Sequence, residues 1–242
     1  HMEIALEAAE DGKHMLVEKP LARNVEEAGR IVSAARRRGV KLMVGHSFRY
    51  HPMTAISLEL LPSIGDVYLC AMSKRQQPAL GWRLDPEEKG GVVMDLGVHL
   101  FDLVAFTLGK RVKGVYCVAH RISQTPVEDL FTATLELDGA TGLLDANTVS
   151  SCRVDKMEFS GREGHIISDR YGREVLLVNR EGRRKIAMEG PDHTLHLLVR
   201  DFVKTIIEDK EPEITGEDGL EAVRVAEACY RSSETGRRVP VG

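Results

Sequence analysis

The fold is decided by residues 15–45, which read MLVEKPLARNVEEAGRIVSAARRRGVKLMVG. Short apolar runs at the start and end of this stretch have the length of buried strands. The run between them, from Val25 to Arg38, has the spacing of an amphipathic helix. Asn24 is a favourable N-cap, and Gly39 is a favourable residue just beyond the last turn. The stretch therefore predicts a strand, a helix and a second strand, the unit from which parallel sheets are built.

A different pattern begins near Asp66 and continues toward the C-terminus. Sequential strand-like runs follow one another, and several meet at turn signals such as Asp138-Gly139. Helical patterns interrupt them early and close the chain at residues 195–207 and 219–233. This order predicts a large, mostly antiparallel sheet that helices cover on one face, in an α+β domain. The fold class is thus α/β followed by α+β.

Composition is that of an ordinary globular protein and excludes two classes of partner. The chain has 242 residues, 43% of them hydrophobic, and a net charge of −4 from 33 basic and 37 acidic residues. This balance offers no basic surface for nucleic acid or for an anionic membrane. No apolar run approaches the roughly 20 residues of a membrane span. The four cysteines form no C-x-x-C pair, which favours a cytoplasmic protein with buried thiols and no metal site.

The most informative motif for function is the run from Gly90 to Asp102, GGVVMDLGVHLFD. If this run is helical, Asp95 and His99 stand one turn apart, and Asp102 follows one turn later on the same face. A carboxylate in that position can orient the imidazole, which makes His99 a candidate proton acceptor near neutral pH. The alternative is a helix N-terminus with an acidic first turn and a histidine that only packs.

A second motif, Glu18-Lys19-Pro20, stands at the end of the first predicted strand. The order and spacing of this tripeptide, of residues 90–102 and of the closing segments 214–222 and 232–241 resemble the glucose-fructose oxidoreductase and inositol dehydrogenase (Gfo/Idh/MocA) family. The resemblance covers the whole chain. It implies that residues 1–48 are the remnant of a Rossmann-like dinucleotide-binding domain. Residues 49–242 would form an open-faced sheet domain for substrate binding and oligomerisation.

The resemblance also implies an activity and its catalytic residues. The expected enzyme is an NAD- or NADP-dependent oxidoreductase that acts on a hydroxyl of a sugar, a sugar derivative or a cyclitol. Lys19, Asp95 and His99 match the catalytic lysine, aspartate and histidine of the family. His99 would be the acid and base, Lys19 its electrostatic and proton partner, and Asp95 the residue that orients the imidazole. A cis peptide bond between Lys19 and Pro20 is implied as well.

The cofactor would be bound by Glu18, Lys19 and Arg83, with Trp82 shielding the cleft beside Arg83. Family members open with a glycine-rich phosphate loop, and no G-x-G-x-x-G occurs in residues 1–45. We therefore expect the chain to lack the N-terminal part of the nucleotide-binding domain and to bind the cofactor several kcal/mol more weakly than a full member. The sequence leaves open the choice between NAD and NADP and whether the chain alone is active.

The substrate would be contacted by Arg49, Asp95 and His99. Arg49 has an equal alternative as a structural ion-pair residue, because Ser47 and Phe48 replace the Asn and Arg that are usual at this strand-to-helix crossing.

Two other functions remain open at this point. One is a non-catalytic oligomerisation or binding module derived from the same family, and the other is a lyase-like or hydrolytic enzyme that uses a bound cofactor. In the family the open sheet face packs against another subunit, so we expect a homo-oligomer that forms through this face. Neither nucleic acid nor a membrane is an expected partner.

Overall fold

A two-stranded parallel sheet forms in the first 45 residues, as predicted. The structure is a computed structural model, and it describes residues 1–242. Strand β1 pairs in parallel with β2, and two helices and a small apolar core accompany them. The elements of this unit are α1 (Met2–Glu10), β1 (Met15–Val17), α2 (Val25–Arg38) and β2 (Leu42–Val44).

Both predicted caps of α2 are confirmed. The side chain of Asn24 accepts a hydrogen bond from the backbone N–H of Glu27 at 2.8 Å, which satisfies one of the free donors of the first turn. Gly39 adopts a left-handed conformation with φ of 64° and ends the helix. Because these two residues define where α2 begins and ends, the sequence alone predicts its bounds.

Nine strands form the second sheet, in the spatial order β10-β9-β8-β7-β3-β6-β5-β4-β11. All its pairings are antiparallel except that of β3 with β6, which confirms the predicted sheet type. Its strands are β3 (Val67–Arg75), β4 (Gly114–His120), β5 (Leu130–Leu137), β6 (Ala140–Asn147), β7 (Val154–Gly161), β8 (Gly164–Asp169), β9 (Glu174–Asn179), β10 (Gly182–Ala187) and β11 (Val239–Pro240).

Strand β3 lies between β6 and β7, two strands that follow each other in the chain. It pairs in parallel with β6 and antiparallel with β7, and it occupies the middle of the sheet. Its inward side chains Cys70 and Met72 are almost fully buried there. A period-two pattern shows which side chains face the core but not which strand lies alongside, so the pattern missed this insertion.

Helices cover one face of the sheet and leave the other open, as predicted. The open face exposes apolar side chains of its central and β4-side strands, among them Tyr116, Val118 and Leu143. No helix is both long enough and apolar enough to cross a bilayer. The helices of this domain are α3 (Pro52–Leu60), α4 (Val98–Leu108), α5 (Leu195–Ile207) and α6 (Gly216–Thr235).

The segment that carries Asp95 departs from the continuous α-helix predicted for residues 92–108. Val93–Gly97 forms a π-turn, and only Val98–Leu108 is α-helical. Just before it, Gly91 adopts φ of 118°, and a Cβ at that position would clash with the carboxylate of Glu128. A π-turn winds wider than an α-helix, so it changes the directions of the side chains that follow it.

The four cysteines are free thiols, but only three of them are buried. Cys70, Cys117 and Cys229 lie in the core, whereas Cys152 is exposed. The expectation that all four are buried is therefore wrong at Cys152, which lies in the connection between β6 and β7.

Candidate active site

Lys19 connects the small parallel unit to the large domain. It follows β1, and the peptide bond between Lys19 and Pro20 is cis, as the family resemblance implies. The ammonium donates hydrogen bonds to the backbone oxygen and to Oδ1 of Asp95, both at 2.8 Å. Only 12% of the Lys19 side chain is exposed. The two motifs that sequence analysis selected, far apart in the chain, thus meet in one ion pair.

Asp95 binds cations with both of its carboxylate oxygens. Oδ1 accepts from Lys19, and Oδ2 lies 2.9 Å from Nε of Arg83. The structure shows no hydrogen bond between Asp95 and His99. The prediction that Asp95 orients the imidazole is therefore wrong here, because the π-turn and the two cations direct this carboxylate toward Lys19. Asp95 positions Lys19 instead.

His99 is buried at the first turn of α4, with 7% exposure. Its ring meets the ring of Phe48 edge-on, with 4.7 Å between the centroids, and its Nδ1 has no hydrogen-bond partner. Burial lowers the pKa of His99 well below its ordinary value, and the positive charges of Lys19 and Lys74 lower it further. An imidazole in this environment is neutral near pH 7 and can accept a proton.

Asp102 forms an ion pair with Arg49 and makes no hydrogen bond to His99. It binds the guanidinium of Arg49, with Nη2 to Oδ1 at 2.5 Å and Nε to Oδ2 at 3.0 Å. Arg49 also lies 3.1 Å from Asp218 and stacks over the ring of Phe106 at 4.5 Å. Only 7% of the Arg49 side chain is exposed. The prediction of Arg49 as a substrate-binding residue is not supported, and its alternative as a structural ion-pair residue fits.

The three predicted cofactor-binding residues line a single cleft of about 680 Å³. Glu18, Lys19, Trp82 and Arg83 are among its lining residues. The Arg83 side chain is 44% exposed, so it borders solvent. A Cβ at Gly45 would lie 3.0 Å from Oε2 of Glu18, so glycine there lets β1 and β2 close together beneath the cleft.

Sequence analysis missed a buried charge cluster next to His99. Nζ of Lys74 donates to Oδ2 of Asp155 at 2.5 Å and lies 3.9 Å from the centroid of the Phe48 ring. Arg170 bonds the same carboxylate at 3.2 Å and faces the same ring at 5.0 Å. One signal was available, because Lys74 continues the inward alternation of the strand-like run that begins at Val67.

Comparison with known proteins decides the family. Residues 60–241 match the C-terminal alpha/beta domain of the Gfo/Idh/MocA oxidoreductases, and residues 1–46 match their NAD-binding Rossmann fold. The chain belongs to the Gfo/Idh/MocA family. The family and the fold class predicted from the sequence are thereby confirmed. Family membership also confirms the enzyme class, an oxidoreductase, and the cofactor class, NAD or NADP.

Relatives match this Gfo/Idh/MocA chain over nearly all of its length. It is 29% identical to 1,5-anhydro-D-fructose reductase of Ensifer adhaerens, with 100% of the chain and 76% of the relative covered. It is also 29% identical to scyllo-inositol 2-dehydrogenase (NADP(+)) of Bacillus subtilis, with 96% and 74% covered. The crystal structure of an oxidoreductase domain protein from Kribbella flavida superposes with a TM-score of 0.92 at 27% identity, covering 100% of this chain and 77% of that one.

Proposed function

We propose that the protein is an NAD(P)-dependent oxidoreductase that oxidises a hydroxyl of a sugar, a sugar derivative or a cyclitol, and reduces the matching carbonyl in reverse. One observation carries the proposal. The Lys19 ammonium, which Asp95 holds, borders the predicted cofactor cleft and is the charge that most affects the buried His99. Relatives named for a sugar derivative and a cyclitol support the substrate class.

The two hydrogens of the oxidation have separate destinations in this mechanism. A nicotinamide held by Glu18, Lys19 and Arg83 would supply the acceptor for the hydride that leaves the carbon bearing the hydroxyl. The hydroxyl proton passes to Nε2 of His99, which the lowered pKa keeps unprotonated near neutral pH. Lys19 stabilises the negative charge that develops on the substrate oxygen. Asp95 contributes by holding the ammonium in place, so it is a positioning residue.

Glu18, Lys19 and Arg83 would hold the nicotinamide end of the cofactor, since all three line the same cleft. We divide the chain into the nucleotide-binding residues 1–48 and the sheet domain 49–242, because separate apolar cores underlie most of each part. Glu18 faces the cleft from one side of this boundary and Arg83 from the other. The reaction would therefore take place between the two domains.

A homo-oligomer that forms through the open sheet face is part of the proposal. The exposed apolar side chains of Tyr116, Val118 and Leu143 support it, since apolar area of this kind is usually covered. A cytoplasmic location is proposed on the free thiols.

The test is turnover of NAD and NADP by the protein with a panel of aldoses, anhydrosugars and inositols. We expect substrate-dependent reduction of one dinucleotide, with NADH or NADPH binding measured in parallel by calorimetry. The matched variants are Lys19→Met at the site and Lys13→Met on the exposed surface near β1. Turnover that survives Lys19→Met and His99→Gln unchanged would contradict the proposal, as would a protein that binds neither dinucleotide.

A further inference from the structure

Three buried side-chain polar atoms have no hydrogen-bond partner in the whole structure, and all three belong to two neighbouring histidines. They are Nδ1 and Nε2 of His46 and Nδ1 of His99. His46 follows β2 and is 1% exposed. Buried polar atoms without partners are rare and costly, so their concentration in one pair of side chains needs a physical explanation.

The geometry of the pair allows one connection between the two rings. Their centroids lie 6.2 Å apart, and the ring planes are nearly perpendicular at 78°. The ring nitrogens that have no partner supply the donors and acceptors that one bridging water molecule between the rings would require. On its other side, Nδ1 of His46 lies 3.9 Å from Oδ2 of Asp102.

The proposed role of His99 gives the direction of the hydrogen bonds. A base that accepts the substrate proton at Nε2 carries its own proton on Nδ1. A bridging water then accepts from Nδ1 of His99 and donates to Nε2 of His46. The remaining nitrogen of His46, Nδ1, carries a proton that faces Asp102, and the carboxylate favours this tautomer electrostatically although 3.9 Å is too long for a hydrogen bond.

We propose that His46 is the positioning residue of His99, and that one buried water joins the two imidazoles in a chain that begins at Asp102. The chain fixes both rings as Nδ1–H tautomers and directs Nε2 of His99 toward the substrate hydroxyl. It takes over the orienting role that the sequence assigns to Asp95. The inference rests on the proposed function of His99 as the base.

Burial lowers the pKa of both rings and favours their neutral forms, and the surrounding charges modify this effect. His46 faces Asp102 and Arg49, with Lys19 and Asp218 further away, and burial lowers its pKa despite the attraction of Asp102. His99 faces the positive charges of Lys19, Lys74 and Arg170. Two neutral imidazoles can each donate through one nitrogen and accept through the other, which the chain requires.

Nitrogen NMR of protein labelled with 15N-histidine tests the inference, because ring nitrogens with and without a proton have well-separated shifts. His99→Gln and His46→Leu assign the two rings among the nine histidines. We expect both rings of the wild type to be neutral Nδ1–H tautomers near pH 7.5. A His99 ring that carries its proton on Nε2 in the wild type overturns the inference.

Substitutions at His46 add a second readout. In His46→Leu the chain is broken, and His99 should change to the Nε2–H form that free imidazole prefers. In His46→Asn the amide supplies a donor and an acceptor, and His99 should keep its Nδ1 proton. Met43→Leu, a change in the fully buried β2, is the control for packing. An unchanged His99 tautomer in folded His46→Leu overturns the inference.

The NMR measurement needs no turnover, so the two proposals fail separately. A His99 ring in the expected tautomer, in a protein that reduces no dinucleotide, contradicts the proposed function only. Should His46→Leu not fold, the wild-type and His46→Asn spectra still decide.

Discussion

Asp95 and Asp102 are the same residue type, seven positions apart on one helical segment and each 4% exposed, yet they have different surroundings. The partners of Asp95, Lys19 and Arg83, line the predicted cofactor cleft, and the Arg83 side chain is 44% exposed. The partner of Asp102, Arg49, is almost fully buried. Each carboxylate binds an arginine, but only the partners of Asp95 lie in the same cleft as Glu18. The partner that each carboxylate binds, rather than residue type, separates the one that holds the catalytic lysine from the one that pairs with a buried arginine.

The largest expected effect comes from removing the ammonium on the cleft side. Lys19→Met keeps the length of the side chain but removes the charge that stabilises the substrate oxygen. Turnover should fall by roughly 10²–10⁴-fold, the usual contribution of a proton-transfer or charge-stabilising group. Steady-state rates with saturating dinucleotide measure it. Lys13→Met should retain the wild-type rate, and a similar loss in that control would mean that the effect is not specific to the site.

The two arginines give the next contrast. Arg49→Met leaves the buried Asp102 without its main partner and should lower the free energy of unfolding by about 3–5 kcal/mol. Arg83→Met should cost less than about 1 kcal/mol, because this side chain is largely solvated and Asp95 keeps Lys19. Urea unfolding of both variants measures the difference. Equal losses of unfolding free energy in the two variants would contradict the distinction between the Arg83–Asp95 pair and the Arg49–Asp102 pair.

The contrast between Asp95 and Asp102 could not be predicted from the sequence, although the elements and the motifs that carry them could. The elements of residues 1–45 follow from local signals, and Asn24 and Gly39 mark the ends of α2 as predicted. The presence of Lys19 and Asp95 in one site follows from two motifs whose family context was recognised. The direction of a carboxylate does not follow in the same way, because it depends on contacts between residues distant in the chain.

Two errors show this dependence. The helical period places Asp95 and His99 on one face, but the π-turn at Val93–Gly97 and the ammonium of Lys19 direct the carboxylate elsewhere. The position of β3 between β6 and β7 was missed for a related reason, since alternation describes faces and not neighbours. Lys74 could have been found, as a lysine on the inward side of a strand is unusual enough to need a buried partner.

Acid should destabilise the protein through the interior histidines. Burial lowers the pKa of His46, His51 and His99 in the folded state, whereas the unfolded chain binds their protons below about pH 6.5. The unfolded state therefore binds more protons in that range, and the free energy of unfolding should fall as the pH drops below about 6.5. Each histidine contributes at most about 1.4 kcal/mol per pH unit.

Urea unfolding between pH 5 and 8 measures this dependence. The slope of unfolding free energy against pH should be smaller in His99→Gln than in the wild type, by the contribution of one proton. A free energy of unfolding that rises as the pH drops from 6.5 to 5.5 would contradict the account.

The smallest expected effect is on the stability of α6, whose first turn lies next to Arg49. Thr215 caps this helix in a capping box with Asp218, and Asp218 also lies 3.1 Å from Arg49. Thr215→Ala removes one side-chain cap and should cost about 1 kcal/mol of unfolding free energy. Turnover should stay at the wild-type level. A loss of turnover without a loss of stability would indicate that the first turn of α6 contributes to catalysis.

The most direct test of the central claim compares Asp95→Asn with Asp102→Asn, two isosteric changes on the same helical segment. Both variants are measured for the free energy of unfolding and for turnover per folded molecule. The account predicts that Asp95→Asn loses most of its turnover with little loss of stability, because Lys19 is no longer held at the cleft. Asp102→Asn should lose stability first, because Arg49 is left buried without its carboxylate. The opposite pattern, or the same pattern in both variants, would contradict the assignment of the two carboxylates.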